Sequence, residues 1–168
     1  AALNVGGAAS FTTSNANDDI SLVTAGNVFT TSVAVNTTGV TGNATLAKDG
    51  GVILAASNVG GALTVTANTG NISQTAGALI VGGNGSFTTT AANGTITLGS
   101  ANDITGTTAL STNGATGDAS ITEVNGINFA ASTTGRNLTA TATTGNITQS
   151  AALNVGGAAS FTTSNAND

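Results

Sequence analysis

Cysteine, proline, histidine, methionine, tryptophan and tyrosine are all absent from this 168-residue chain. Without cysteine there is no disulfide framework and no thiolate to hold a metal. Without histidine, and with charged residues at only 5%, the chain has few of the side chains that enzymes use. Lys48 and Arg136 are the only cations against seven acids, a net charge of −5. No basic stripe exists to neutralise phosphates, so nucleic acid is not expected as a partner. No run of apolar residues reaches the length of a membrane span, and no charged segment precedes an apolar stretch as in a signal peptide. Membrane insertion of this segment is therefore not expected.

Thr, Ala, Gly, Asn and Ser dominate instead, and such a composition sometimes marks disorder. The hydrophobic fraction is 39%, however, and the apolar residues alternate regularly, which points to order. Residues 151–168 repeat residues 1–18 letter for letter. Packing alone does not demand that exposed Thr, Ser and Asn stay identical, so the chain reads as a window on a longer tandem array. Residues 1–150 form one unit, and 151–168 start the next, within a single segment 1–168.

A diverged repeat lies inside the unit. Gly60-Gly61-Ala62-Leu63-Thr64-Val65-Thr66-Ala67 followed by Gly70-Asn71-Ile72-Ser73-Gln74 returns as Gly135-Arg136-Asn137-Leu138-Thr139-Ala140-Thr141-Ala142 and Gly145-Asn146-Ile147-Thr148-Gln149. The unit is thus two similar halves of about 75 residues each, a period long enough to hold several solenoid turns.

Within each half, short runs alternate apolar residues with Thr, Ser and Asn and are bounded by Gly or Asn, the pattern of strands rather than helices. Anchors at Phe11, Val35, Leu63, Phe87, Leu110, Leu138 and Phe161 recur along the chain, with the steps from Val35 to Leu63 and from Leu110 to Leu138 longer than the others. A second inward column follows at Ile20, Ala44 with Leu46, Ile72, Ile96, Ala119 with Ile121, and Ile147. A third holds Val28, Val52 with Leu54, Leu79 with Val81, Ile104, Ile127 with Phe129, and Leu153 with Val155. Three columns per rung predict an all-β, parallel β-helix of three strands per rung, about 25 residues per rung and about six rungs per unit. The usual crossover preference makes it right-handed. Phe11, Phe87 and Phe129 are expected to be its largest inward groups, with glycines such as Gly42, Gly70, Gly94, Gly117 and Gly145 supplying left-handed corners.

Candidate chemistry is sparse. The acids Asp18, Asp19, Asp49, Asp103, Asp118 and Glu123 scatter over several rungs without an evident base, so no enzyme is expected. Gly82-Gly83-Asn84-Gly85 is similar to the glycine-rich stretch of a calcium-binding β-roll, but Ser86 stands where each turn of such a roll needs Asp. Asn15 to Asp19 and Ala101-Asn102-Asp103 offer scattered oxygen ligands for a structural calcium ion; otherwise no cofactor is expected. The strongest surface pattern is a Thr-rich face carrying Thr12, Thr64, Thr66, Thr88, Thr90, Thr139 and Thr141, of the kind that binds ice or a flat surface. Ala34 with Asn36 and Ala109 with Ser111 interrupt it, and the fitness of Thr for exposed strands accounts for it better. Lys48 aligns with Glu123 across the two halves, and both are placed in solvated turns.

Val59-Gly60-Gly61-Ala62-Leu63-Thr64-Val65-Thr66-Ala67, Gly70-Asn71-Ile72-Ser73-Gln74 and Ala78-Leu79-Ile80-Val81-Gly82-Gly83 resemble the repeats of filamentous-haemagglutinin-like bacterial exoproteins. That resemblance implies a long β-helical shaft exported to the cell surface, acting as adhesin, matrix fibre or toxin carrier. The expected function is a structural shaft of an extracellular filament or giant adhesin, with ice or surface binding as the alternative. The expected partner is self, since an open solenoid edge calls for further copies of the same repeat end to end, with lateral bundling of filaments.

Overall fold

The alternation is translated directly into burial. In Leu63–Ala67 the side chains of Leu63, Val65 and Ala67 are buried while Thr64 and Thr66 are partly exposed, and Ala44–Lys48 and Ala119–Glu123 follow the same in-out order. The structure, a computed structural model, describes residues 1–24 and 26–164. Among these residues there are 21 strands and no helix. The strands wind as a parallel β-solenoid of about seven turns, about 22 residues per turn, with three strands per turn. Each strand pairs in parallel with the equivalent strand of the next turn, as Ile20–Leu22 does with Ala44–Lys48 and that strand with Leu63–Ala67. The two remaining strands of the turn serve as the crossover that any parallel pair requires.

One continuous core fills the interior. Phe87, Phe129, Leu46, Leu54, Leu63, Ile72 and Leu79 are fully buried, each worth about 1.5–3 kcal/mol of transfer free energy. Phe87 and Phe129 are inward as expected. Phe11 is only half-buried and packs edge-on against Phe29 at 5.8 Å. Val28, expected inward, is exposed, and Phe29 beside it is the buried side chain of that strand.

The turns are shorter than the anchor spacing implied, and the reason is local. Val35 stacks on Ser57 and not on Leu63: the Val35 amide donates to Ser57 Oγ at 3.1 Å, and Asn36 registers with Asn58. The same substitution of partners occurs in the second half, where the Leu110 amide donates to Ser132 Oγ at 3.1 Å and Ser111 registers with Thr133. Leu63 belongs with Ala44 and Gly85, and Leu138 with Ala119 and Ala159. The two long rungs that the anchors implied therefore do not exist. Each contains a further short strand, Ser57–Val59 or Ser132–Thr134, whose inward serine looks polar in the sequence.

The corrected count explains the two nested repeats. Seven turns span about one 150-residue unit, so one half advances the chain by half of an odd number of turns and lands on a different sheet. Ala44–Lys48, Leu63–Ala67 and Thr108–Asn113 lie in a nine-stranded sheet, whereas Ala119–Glu123, Leu138–Ala142 and Ser32–Thr38, their relatives in the opposite half, lie in a ten-stranded sheet. A small third sheet pairs Asn4–Val5 with Val28–Phe29. Ala9–Ala16 and its copy Ala159–Thr163 both lie in the ten-stranded sheet. The full unit thus brings the copy of Ala9–Ala16 back to its own sheet, whereas the copy of Asn4–Val5, within Leu153–Val155, lies in the nine-stranded sheet.

Corners are closed by Asn and Gly. Asn17 and Asn93 adopt positive φ of 66° and 61°, and their Oδ1 atoms accept amides of the next turn: Val40 and Thr41 at 3.1 Å for Asn17, Thr116 at 3.0 Å for Asn93. Of the five corner glycines named from the sequence only Gly145 is left-handed. Gly42, Gly70, Gly94 and Gly117 are required by proximity instead; a Cβ on Gly42 would stand 2.6 Å from the Asp18 carbonyl oxygen.

Candidate functional site

The Thr residues of the expected surface face are divided between sheets. Thr64, Thr66 and Thr88 lie in the nine-stranded sheet, where Thr64 registers with Thr45 and Ser86, and Thr66 with Ala47 and Thr88. Thr139 and Thr141 lie in the ten-stranded sheet beside Ser120 and Thr122. Thr12 is in that sheet too, but in a column that continues through Asn36, Asn58 and Ile80. Thr90 leaves the ladder altogether: a register shift separates Thr88 from Ala92, and the Thr90 hydroxyl donates to the Asn68 carbonyl at 2.9 Å. The seven do not share one face, because the offset between the halves carries equivalent strands to different sheets.

What the outer surface does hold is a hydroxyl ladder that occurs once in each half. Ser21, Thr45, Thr64 and Ser86 are consecutive rungs in the nine-stranded sheet. Thr97, Ser120, Thr139 and Ser160, their equivalents, are consecutive rungs in the ten-stranded sheet. Ser and Thr exchange between the halves, which is why a search for Thr-x-Thr did not isolate them.

The surface carboxylates are occupied locally. Asp18 accepts from Asn15 Nδ2 at 3.0 Å, Asp19 from the Asn43 amide at 2.7 Å, Asp49 from Asn68 Nδ2 at 3.0 Å and Asp103 from Asn125 Nδ2 at 2.8 Å. Asp118 takes two hydrogen bonds from the Arg136 guanidinium and one from the Asn137 amide at 2.9 Å. The guanidinium first and the amide second hold its carboxyl down at about 2. Among the described residues no three acids, histidines or cysteines converge on a metal-sized site. Asn84, beside the Gly82-Gly83 stretch, spends its Oδ1 on the Thr107 amide at 2.9 Å.

The least ordinary chemistry is inside. Lys48 and Glu123, expected in solvated turns, are both buried, Glu123 completely. Each is the fifth residue of a strand whose first and third side chains, Ala44 and Leu46 or Ala119 and Ile121, point inward, so the period of two leaves it no other direction. Lys48 Nζ donates to the Phe29 carbonyl at 3.0 Å and lies 5.9 Å from the centre of the Phe29 ring. Burial lowers its pKa. Glu123 Oε2 accepts the Ile104 amide at 3.0 Å, and Oε1 faces the Thr108 hydroxyl at 3.5 Å. Desolvation, with a smaller contribution from Asp103, pushes the carboxyl up to about 7.

Asn102 completes this interior. It is the register partner of Glu123 and has no exposed surface. Its Oδ1 accepts the Leu79 amide at 2.9 Å and Gln74 Nε2 at 2.7 Å, while Nδ2 donates to the Leu98 and Thr122 carbonyls at 3.2 and 3.1 Å. Asn27, its equivalent in the first half, is buried likewise, taking the Leu3 amide at 3.0 Å and donating to the Leu22 carbonyl at 3.2 Å. These residues satisfy backbone groups where the strands bend.

A family model described as "Repeats of unknown function (DUF5649)" matches residues 1–36, 41–111 and 116–168. The chain belongs to this family. The breaks between matched segments fall at residues 37–40 and 112–115, equivalent corners that hold the left-handed Gly39 and Gly114. The middle matched segment, 41–111, thus spans about one half of the unit. No curated protein and no solved structure matches the chain.

Proposed function

We propose that this DUF5649 chain is a shaft segment of an extracellular filament or giant adhesin, a spacer whose task is length and rigidity. The observation that carries this is the return of the identical segment Ala159–Thr163 to the sheet of Ala9–Ala16 after seven turns. A unit that closes on its own face can be added without limit while every turn meets the same neighbour. Mechanically, each turn is tied to the next by parallel backbone ladders and by Asn side chains at the corners. Among the described residues the outer faces offer Ser and Thr ladders, a few charges and scattered apolar side chains such as Val40 and Ile80. On this proposal the segment is not an enzyme and needs no cofactor. Its partner is more of itself, end to end, with the hydroxyl ladders available for lateral contacts between shafts. The resemblance of its repeats to filamentous-haemagglutinin-like exoproteins supports placement at the bacterial cell surface.

Electron micrographs and small-angle scattering of chains carrying one, two and four units test the proposal. Rod length should grow by about 34 Å per unit, seven turns at about 4.8 Å each, at constant width. Particles that grow in width, or do not lengthen in proportion, would refute it.

A further inference from the structure

Glu123 stands in a place where a carboxylate is poorly served. It receives one amide hydrogen bond, from Ile104, and a long approach from the Thr108 hydroxyl. The strands packed on it, Ile96–Ile104, Thr108–Asn113 and Leu138–Ala142, contain no cation and a single charged residue, Asp103, which repels it. Arg136 is engaged with Asp118, and Lys48 donates to the Phe29 carbonyl. A neutral carboxyl fits better. Its carbonyl oxygen keeps the Ile104 amide, and its O–H gains an acceptor in the Thr108 hydroxyl, which is itself buried.

Ile104 ends one strand and Thr108 begins the next, on a different sheet. Glu123 therefore ties a corner from inside. We infer that Glu123 is a proton-sensitive tie that tightens the second half of each unit in mildly acidic surroundings and loosens it when the carboxyl ionises. The first half lacks this carboxyl, because Lys48 occupies the equivalent position and meets a carbonyl.

The sign follows from the raised pKa. The unfolded carboxyl titrates near 4.5 and the folded one near 7, so the stabilisation is complete below 4.5, declines between 4.5 and 7 and is gone above 7. Asp118 acts only below about 4, so the two windows do not overlap.

The test is urea unfolding of the full chain from pH 4.5 to 8, beside Glu123→Gln. The wild-type folding constant should fall about 100-fold across this range, and the variant should lose most of that dependence. Equal pH dependence in the two proteins would overturn the inference. Should Glu123→Gln not fold, carboxyl-carbon NMR of the wild-type chain decides: a Glu123 midpoint near 7 supports the tie, and a midpoint below 5 refutes it.

Discussion

Lys48 and Glu123 hold the same position in the two halves of the unit and bind opposite poles of the same corner: Lys48 donates to the Phe29 carbonyl, and Glu123 accepts from the amide of Ile104, the residue equivalent to Phe29. Each side chain meets a backbone group that can complete its hydrogen bond, a carbonyl for the lysine and an amide for the carboxyl. They are separated onto different sheets and do not pair with one another. The relationship shows how a repeat can diverge in its core, since the corner presents both a donor and an acceptor and either type of side chain can use one of them.

Reversing the charge at Lys48 should therefore be far worse than removing it. Lys48→Glu buries a carboxylate beside the Phe29 carbonyl with no cation to meet it and is expected to cost about 3–5 kcal/mol. Lys48→Met gives up one hydrogen bond but also a buried charge, and should stay within about 1 kcal/mol of wild type. Urea unfolding of both variants at neutral pH measures the difference. Equal losses would mean that the Phe29 contact does not discriminate charge.

Ser57 and Ser132 should matter more than their small size suggests. Each hydroxyl bridges two backbone groups inside the fold: Ser57 accepts the Val35 amide and donates to the Ala55 carbonyl at 2.9 Å, and Ser132 does the same for Leu110 and Ala130. Ser57→Ala and Ser132→Ala should each cost about 1–3 kcal/mol by leaving a buried amide unsatisfied. They lie in separate halves, so the double variant should lose close to the sum. Thermal or urea unfolding reads this directly.

These serines mark where the fold was legible in the sequence and where it was not. Strand type, parallel stacking and the inward residues Leu63, Ile72, Leu79 and Phe87 follow from alternation and repetition alone. Turn length did not follow, because matching each anchor to the next large apolar residue passed over Ser57 and Ser132 and joined Val35 to Leu63. The Thr residues are divided between sheets for the same reason, as a column drawn through the wrong turn crosses from one sheet to another. The period of two also points Lys48 and Glu123 inward, against the general rarity of fully buried charges. Hydrogen bonding at the corner decides the matter, and that is visible only when residues on successive turns are brought together.

Acid should act through Asp118. Its folded pKa is depressed to about 2 from 3.8, so its contribution is present above 3.8 and is lost as pH falls through 2. Thermal melts of Asp118→Asn and wild type should converge below pH 2 and differ by a modest amount at neutral pH, since the Arg136 pair is exposed to solvent. High salt should shrink that difference. A gap that persists unchanged at pH 1.5 would show that Asp118 acts through shape and not charge.

The corner glycines carry the strictest steric demand in the chain. Gly39, Gly60 and Gly82 stack over successive turns, as do Gly114, Gly135 and Gly156 in the second half, and each carbonyl points at the next glycine. A Cβ on Gly60 would overlap the Gly39 carbonyl, and one on Gly135 would overlap that of Gly114. The obstruction is backbone, which cannot rotate aside, so the turns must part at that corner and weaken the ladders on both flanks. Gly60→Ala and Gly135→Ala should each cost about 2–3 kcal/mol. Gly99, in the strand Ile96–Ile104, supplies the control: nothing lies within 4 Å of a Cβ built there, and Gly99→Ala should be neutral or stabilise by about 0.4–1 kcal/mol through the unfolded chain. In a chain of several units the corner variants should lower the melting temperature and coarsen the rod seen in micrographs, because every unit repeats the defect. A Gly135→Ala chain that melts with wild type would show that the turns are not packed backbone against backbone at this corner.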